Sequence, residues 1–291
     1  MQLRIFLLRP AIIAVAVICY LIAPALAQDT STQDTPVNVK PKLPLWEAGL
    51  FGIGITQPAY PGADDRANRV LGLPYLIYRG KYLRVDRGTV GIRTLKTPRT
   101  EVDVGFAASL GSRASDTAAR QGMEDLGTMI EFGPRLKVNL GDISNGRSNS
   151  RLQFPLREVV DVSHGFRLKG VTFEPQWVID MLLENRWFLS TTLSALFGDR
   201  KFSDTFYSVA PTEATVVRPS YTAKSGLIAL RAGLLASHTL TPDVRLFGIL
   251  RLESLAGAAN RNSPLLLRNT GWSAGIGLAW ALGRSEDRAV D

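Results

Sequence analysis

The sequence predicts an all-β fold, an antiparallel transmembrane β-barrel of about twelve strands with ten as the other count. Three observations lead there. Apolar and other residues alternate at period two along most of the chain after residue 45, which puts successive side chains on opposite faces of a strand. Most of the alternating segments run 10–13 residues. A typical soluble strand has ~5–6 residues, whereas a tilted strand crossing a bilayer needs ~9–11. The N-terminus has the three-part plan of a secretory signal peptide. In hydrocarbon every backbone N–H and C=O must pair internally, and a closed sheet does this without an edge. Long amphipathic strands behind a signal peptide therefore describe an outer-membrane barrel. The competing fold, a soluble β-sandwich, would pack its apolar face on a second sheet.

In the N-terminal segment, Arg4 and Arg9 are the basic part and residues 11–27 the apolar part. Ala25-Leu26-Ala27 forms the cleavage signature, with the cut between Ala27 and Gln28. The apolar run is shorter than the ~20 residues of a membrane helix and is broken by Pro24. Cys19, the single cysteine, follows Ala16-Val17-Ile18 and lacks a lipoprotein's small-residue box. Disulfides and thiolate zinc clusters are thus excluded, and two histidines leave little room for any other metal site. No cofactor is expected. Residues 28–44, rich in Thr, Asp, Pro and Lys, read as a flexible periplasmic leader. The barrel takes 45–282, and 283–291 is a polar tail. The formal charge is +8, or +6 without the two arginines of the signal segment. The excess is dispersed, with no run that would bind nucleic acid.

The strand candidates lie near 46–57, 70–79, 82–95, 99–110, 127–140, 150–160, 169–180, 186–198, 203–209, 223–236, 243–255 and 270–282. In the clearest, Ile130, Phe132, Leu136 and Leu140 share one face and Glu131, Arg135 and Lys137 the other. Leu152, Phe154 and Leu156 oppose Arg151, Gln153 and Arg157. Val171, Phe173 and Trp177 oppose Thr172, Glu174 and Asp180. Leu246, Leu250 and Leu252 oppose Arg245, Arg251 and Glu253. In the last strand Trp272, Ile276, Leu278 and Trp280 oppose Ser273, Gly275, Gly277, Ala279 and Ala281, a small face suited to a crowded lumen. Trp46, Tyr60, Tyr75, Tyr78, Tyr82, Trp187, Trp272 and Trp280 read as interfacial girdles. Pro74, Pro134, Pro155 and Pro175 resist the assignment, because proline cannot donate to a ladder.

Four motifs occur in order: Tyr60-Pro61-Gly62-Ala63-Asp64, Leu73-Pro74-Tyr75-Leu76-Ile77-Tyr78-Arg79-Gly80, Tyr207-Ser208-Val209-Ala210-Pro211-Thr212-Glu213-Ala214 and Ser263-Pro264-Leu265. Together they resemble the MipA/OmpV family of MltA-interacting proteins, from about Trp46 to Leu282. The resemblance implies an outer-membrane barrel of Gram-negative bacteria. It also implies a non-enzymatic scaffold that brings a peptidoglycan-cleaving lytic transglycosylase close to a penicillin-binding synthase. The chain departs from the terminal aromatic common in outer-membrane barrels, since its last strand ends Trp280-Ala281-Leu282 before a polar tail.

Chemistry-bearing candidates are few. Adjacent strand residues point to opposite faces, so Ser163 and His164 would not activate each other there. His164 reads as a turn residue and His238 as a strand-end residue. Asp64-Asp65 and Glu124-Asp125 have no histidine nearby and read as solvated loop acids. Gly49, Gly52 and Gly54 do not match the dinucleotide fingerprint. The inner charges Glu131, Arg135, Lys137, Arg151, Arg157, Glu174, Asp180, Arg245, Arg251 and Glu253 support two readings. They form a salt-bridged plug, favoured by their alternating signs, or line a narrow anion-favouring pore. The expected partners are the lipid bilayer, lipopolysaccharide, a lytic transglycosylase and a penicillin-binding protein. The functional classes are a scaffold and, alternatively, a small solute channel.

Overall fold

The computed structural model describes residues 44–79, 83–86, 89–92, 95–97, 99–143 and 147–287. The expected signal segment with its Ala27–Gln28 cut, leader residues 28–43 and Tyr82 lie outside these. The strands in chain order are β1 (Trp46–Pro58), β2 (Arg66–Arg79), β3 (Leu83–Asp86), β4 (Thr89–Ile92), β5 (Leu95–Lys96), β6 (Thr100–Ser109) and β7 (Met129–Gly141). They continue as β8 (Ser148–Asp161), β9 (Arg167–Phe173), β10 (Gln176–Leu182), β11 (Trp187–Gly198), β12 (Gly226–Thr239), β13 (Val244–Ser254) and β14 (Thr270–Arg284). Among the described residues one α-helix, α1 (Arg200–Tyr207), precedes β12.

All fourteen segments join one antiparallel sheet that closes on itself. β14 pairs with β1, and the other two ends meet through β8–β10 and β9–β11. β9 and β10 are one stave interrupted at Glu174-Pro175: Phe173 faces Leu156 and Gln176 faces Gln153, three residues on along each strand. β4 and β5 both lie along β6. Counting each of those pairs once gives twelve staves.

Two expected strands differ. In place of the single strand expected over 82–95, the described residues form the short paired strands β3 and β4, with Asp86 opposite Thr89, and then β5. Residues 203–209 fall mostly in α1, because Phe202 and Phe206, four apart, pack edge to face at 5.2 Å. The Asp199 carboxylate caps the helix by accepting from the Phe202 N–H at 2.7 Å. Two smaller bounds also move: β2 begins at Arg66 and β14 runs on to Arg284.

The alternation sorts the two faces as expected. Leu50, Leu136, Leu156, Trp177, Leu193 and Leu278 are exposed on the outside, a band suited to lipid. Tyr60 and Tyr75 are not girdle residues, since both are buried. Two of the four prolines fall where the ladder tolerates them, whereas Pro134 and Pro155 lie within the paired strands β7 and β8. Pro175 sits in the break between β9 and β10. Pro74 sits on β2, whose far side meets β3 only at Tyr78 and Arg79 among the described residues. Above that point β2 has no second ladder partner among the described residues, and Val70 on it is 89% exposed.

The inner face of β14 is a stripe of small residues for a packing reason. Phe51 and Phe247 stack across it at 5.2 Å between centroids, and Ile53 lies beside Gly277. A Cβ on Gly277 would come within 2.4 Å of both the Gly52 carbonyl and the Phe247 ring. Gly54, on the outer face, has nothing within 4 Å. Gly277→Ala should therefore destabilise the barrel by about 1–3 kcal/mol, lowering the temperature at which it loses compact migration on a semi-native gel. Gly54→Ala should leave that temperature within a degree or so of the parent, given the open space there.

Candidate functional site

Two linked features occupy the barrel: a ladder of charges in the lumen and a cap over one mouth. The ladder arises because inward positions alternate with lipid-facing ones, so every polar residue of the right parity points into a narrow interior. Arg135 grips Asp103 with Nε at 2.9 Å and Nη2 at 2.8 Å, and Lys137 also meets Asp103. Glu101 accepts from Lys137 at 3.5 Å. A second chain of alternating sign runs across the lumen. Arg157 bridges Glu131 at 3.4 Å and Glu174 at 3.2 Å, and Arg231 bridges Glu174 at 3.2 Å and Glu253 at 2.8 Å. Arg251 ends it, 3.3 Å from Glu253. Thr172 and Ser194 donate to Glu131 and Glu174. Arg151 pairs with Asp180, which also accepts from Ser190 at 2.6 Å. Arg245 is buried on the inner face of β13 beside Thr239 and Ala279.

The inner charges thus point one way and are brought together in pairs. The sequence reading omitted Asp103, Glu101 and Arg231. Their signal was parity: Asp103 interrupts Val102 and Val104, and Arg231 stands alone in an apolar strand. Glu47, buried at the other side, accepts from the Tyr75 hydroxyl at 2.9 Å, which is why Tyr75 faces inward. Phe51, Ile53, Ile77 and Phe247 form one apolar cluster on that side, where Arg79 and Arg245 are buried as well.

The cap is built from the long loops 59–65, 110–128, 199–225 and 255–269, all at one end of the barrel. Three of the four family motifs meet there. The Tyr60 hydroxyl donates to the Leu265 carbonyl at 2.7 Å, and the Tyr207 hydroxyl to the Pro61 carbonyl at 3.1 Å. Ser263 Oγ donates to the Tyr207 carbonyl at 2.7 Å. The Gly62 carbonyl accepts from the N–H groups of Leu267 and Arg268 at 2.8 and 3.0 Å. Gly62 has φ +88°, and a Cβ there would lie 2.8 Å from Leu266 Cγ, so glycine is required twice over. Asp64 accepts from Arg268 Nε at 2.6 Å. Arg218 ties three loop carbonyls together, those of Ala119, Gln121 and Glu213, at 2.8, 3.0 and 2.7 Å. Beneath these bonds lies one apolar cluster around Tyr207, Phe202, Val209, Leu255 and Leu265. The remaining motif, from Leu73, runs down β2 and joins the lumen wall.

The histidines sit as turn and strand-end residues. His164 Nδ1 lies 2.8 Å from Asp161 Oδ2, and among the described residues no hydroxyl hydrogen-bonds its other ring nitrogen. His238 packs on Trp187, with ring centroids 4.7 Å apart. Asp65 caps the Ala118 N–H and Asp125 the Ala114 N–H, at 2.9 and 2.7 Å. Glu124 pairs with Arg167.

Removing the acid between Arg157 and Arg231 by Glu174→Ala should cost about 3–5 kcal/mol, read as an earlier loss of compact gel migration. Glu184→Ala, which breaks an exposed pair with Arg147, should cost at most about 1 kcal/mol. Burial pushes the Tyr60 phenol up to about 12 from its usual 10.0. The folded cap holds this proton more tightly than the unfolded chain does. Its stability is therefore complete below pH 10 and falls as pH rises toward 12. Near-UV circular dichroism against pH should show that fall, and Tyr60→Phe should flatten it.

Comparison with solved structures finds barrels of the outer membrane. The NanC porin has 10% identity and a TM-score of 0.39, covering 80% of this chain and 100% of its own. OprB of Pseudomonas putida has 7% identity and a TM-score of 0.39, covering 81% and 94%. Outer membrane phospholipase A from Escherichia coli has 13% identity and a TM-score of 0.35, covering 90% and 97%. Likenesses this loose carry no argument about the chain. No match is found among curated proteins. The family profile described as MltA-interacting protein MipA matches residues 50–282. That span runs from within β1 to within β14 and takes in the charge ladder and the whole cap. With its closed sheet and lipid-facing apolar band, the chain is an outer-membrane β-barrel that belongs to the MipA family.

Proposed function

We propose that this protein is a non-enzymatic scaffold whose periplasmic rim brings a lytic transglycosylase together with a penicillin-binding synthase. The observation that carries the reading is the filled lumen. Acids and bases pair across it and the loops pack into a single cap over one mouth. A barrel with this interior works through its surfaces. The family's description as MltA-interacting protein supports a transglycosylase as one partner.

Outer-membrane barrels turn short connections to the periplasm and long loops to the outside. Here the short connections between β7 and β8, β10 and β11, and β12 and β13 share an end with Leu45 and Asp287, where the Leu45 N–H donates to the Asp287 carbonyl at 2.9 Å. This rim carries Arg147, Glu184, Arg186, Asp243 and Arg284. It is the surface within reach of periplasmic enzymes. The capped end, with the family motifs, faces away from them.

Cross-linking of envelopes and mild-detergent recovery of the tagged protein should bring down a transglycosylase and a penicillin-binding protein together. Arg147→Glu combined with Arg186→Glu should reduce that recovery several-fold. Val216→Ser with Val217→Ser at the cap's exposed tip should not. Recovery of neither enzyme would overturn the scaffold. Steady single-channel conductance in planar bilayers would establish the alternative, a small solute channel.

A further inference from the structure

A cavity of about 690 Å³ opens at the capped end between the start of β2, the 110–128 loop and the turn that holds His164. Neither the charge ladder nor the cap's hydrogen bonds account for it. Its wall contains three arginines, none in an ion pair among the described residues; Arg66 is held by the Thr56 hydroxyl and the Trp272 carbonyl. Arg69, on the inner side of β2, donates from Nη2 to the Gly111 carbonyl, while its Nε is buried and has no partner. Arg113, exposed on the loop, forms no ion pair among the described residues. Ser112 between them is only 8% exposed, and its hydroxyl is also buried without a partner. Native proteins rarely leave buried donors unmade.

The acids of the wall are already engaged. Asp125 caps the Ala114 N–H at 2.7 Å, and Asp116 accepts from Ser115 at 3.3 Å. His164 gives its Nδ1 to Asp161, leaving Nε2 as its other ring nitrogen. The cavity wall therefore holds unpaired donors: the buried Arg69 Nε–H and Ser112 hydroxyl, and the exposed Arg113 guanidinium. That set fits a tetrahedral oxyanion, for which arginine's fixed fork of N–H groups is well shaped. The cavity also lies at the top of β2, where the wall above β3 and β4 has no ladder partner among the described residues. A group carried by a lipid of the outer leaflet could reach it sideways, without passing the cap.

We propose that this cavity binds a phosphate monoester, presented by an outer-leaflet lipid headgroup or as free phosphate. Arg69 and Arg113 supply the charge, and the Ser112 hydroxyl adds a neutral donor. The site goes beyond the scaffold role and stands or falls separately from it, since it lies at the opposite end from the rim.

The test uses the full purified protein in detergent. Native mass spectrometry would follow retention of diphosphorylated lipid A and of its dephosphorylated form, and calorimetry would follow inorganic phosphate. The diphosphorylated lipid should bind, and Arg69→Gln and Arg113→Ala should each weaken it at least about tenfold. Arg261→Ala, exposed on another loop and outside the cavity wall, should not. Tight binding of inorganic phosphate with the same arginine dependence, and no gain from the lipid, would assign the site to free phosphate. Equal retention of both lipid forms, or affinity indifferent to both arginines, would overturn the proposal. If Arg69→Gln fails to fold, Arg113→Ala on the exposed loop still decides the matter.

Discussion

A backbone amide in hydrocarbon has no water to bond to, and that requirement shapes the molecule from its strands inward. Each unsatisfied group in lipid costs several kcal/mol, so the sheet must return to itself. It does so by pairing β14 with β1 and by joining β8 and β11 to the interrupted stave β9–β10. The proline that breaks this stave does so without loss of register. Closure then forces every second side chain into a narrow interior. The rest of the structure is a response to that crowding.

The interior answers in two ways. Between β1, β13 and β14 an apolar cluster forms, and the glycine and alanine stripe of β14 gives the rings of Phe51 and Phe247 room to stack. Along β6 to β13 it is ionic. A charge there lacks bulk water, so it must find its opposite. The chain from Glu131 through Arg157, Glu174 and Arg231 to Glu253 shows each acid shared by neighbouring bases. Removing one partner from such a chain is costly, because the others stay buried. The same property that fills the lumen makes it rigid.

The cap applies the same accounting of polar groups outside the membrane. Loop backbone has no ladder to join, so Tyr60, Tyr207, Ser263 and Arg218 take up its carbonyls through their side chains. This explains why motifs far apart in the chain keep company. Tyr60-Pro61-Gly62 and Ser263-Pro264-Leu265 are two sides of one contact, and α1 packs beneath them. Three of the four family motifs therefore close one mouth of the barrel, and the opposite rim is built from shorter and plainer turns.

Much of this was legible in the chain. Period-two alternation identified the barrel, the lipid-facing residues and most inward charges, because side-chain parity is a local property of an extended backbone. Where local spacing was ambiguous the reading failed. Residues 203–209 look extended until Phe202 and Phe206 are seen four apart on a capped turn. Tyr60 and Tyr75 look like girdle aromatics until Leu265 and Glu47 are found beside their hydroxyls. Parity also says nothing about who faces whom. The meeting of Arg231 with Glu174 and Glu253, and of Tyr60 with Leu265, depends on the stagger and closure of the whole sheet. The sequence by itself determined the strands, their two faces and the family. Only the tertiary structure decided the partners, because contacts across a barrel are set by the register of all its staves together.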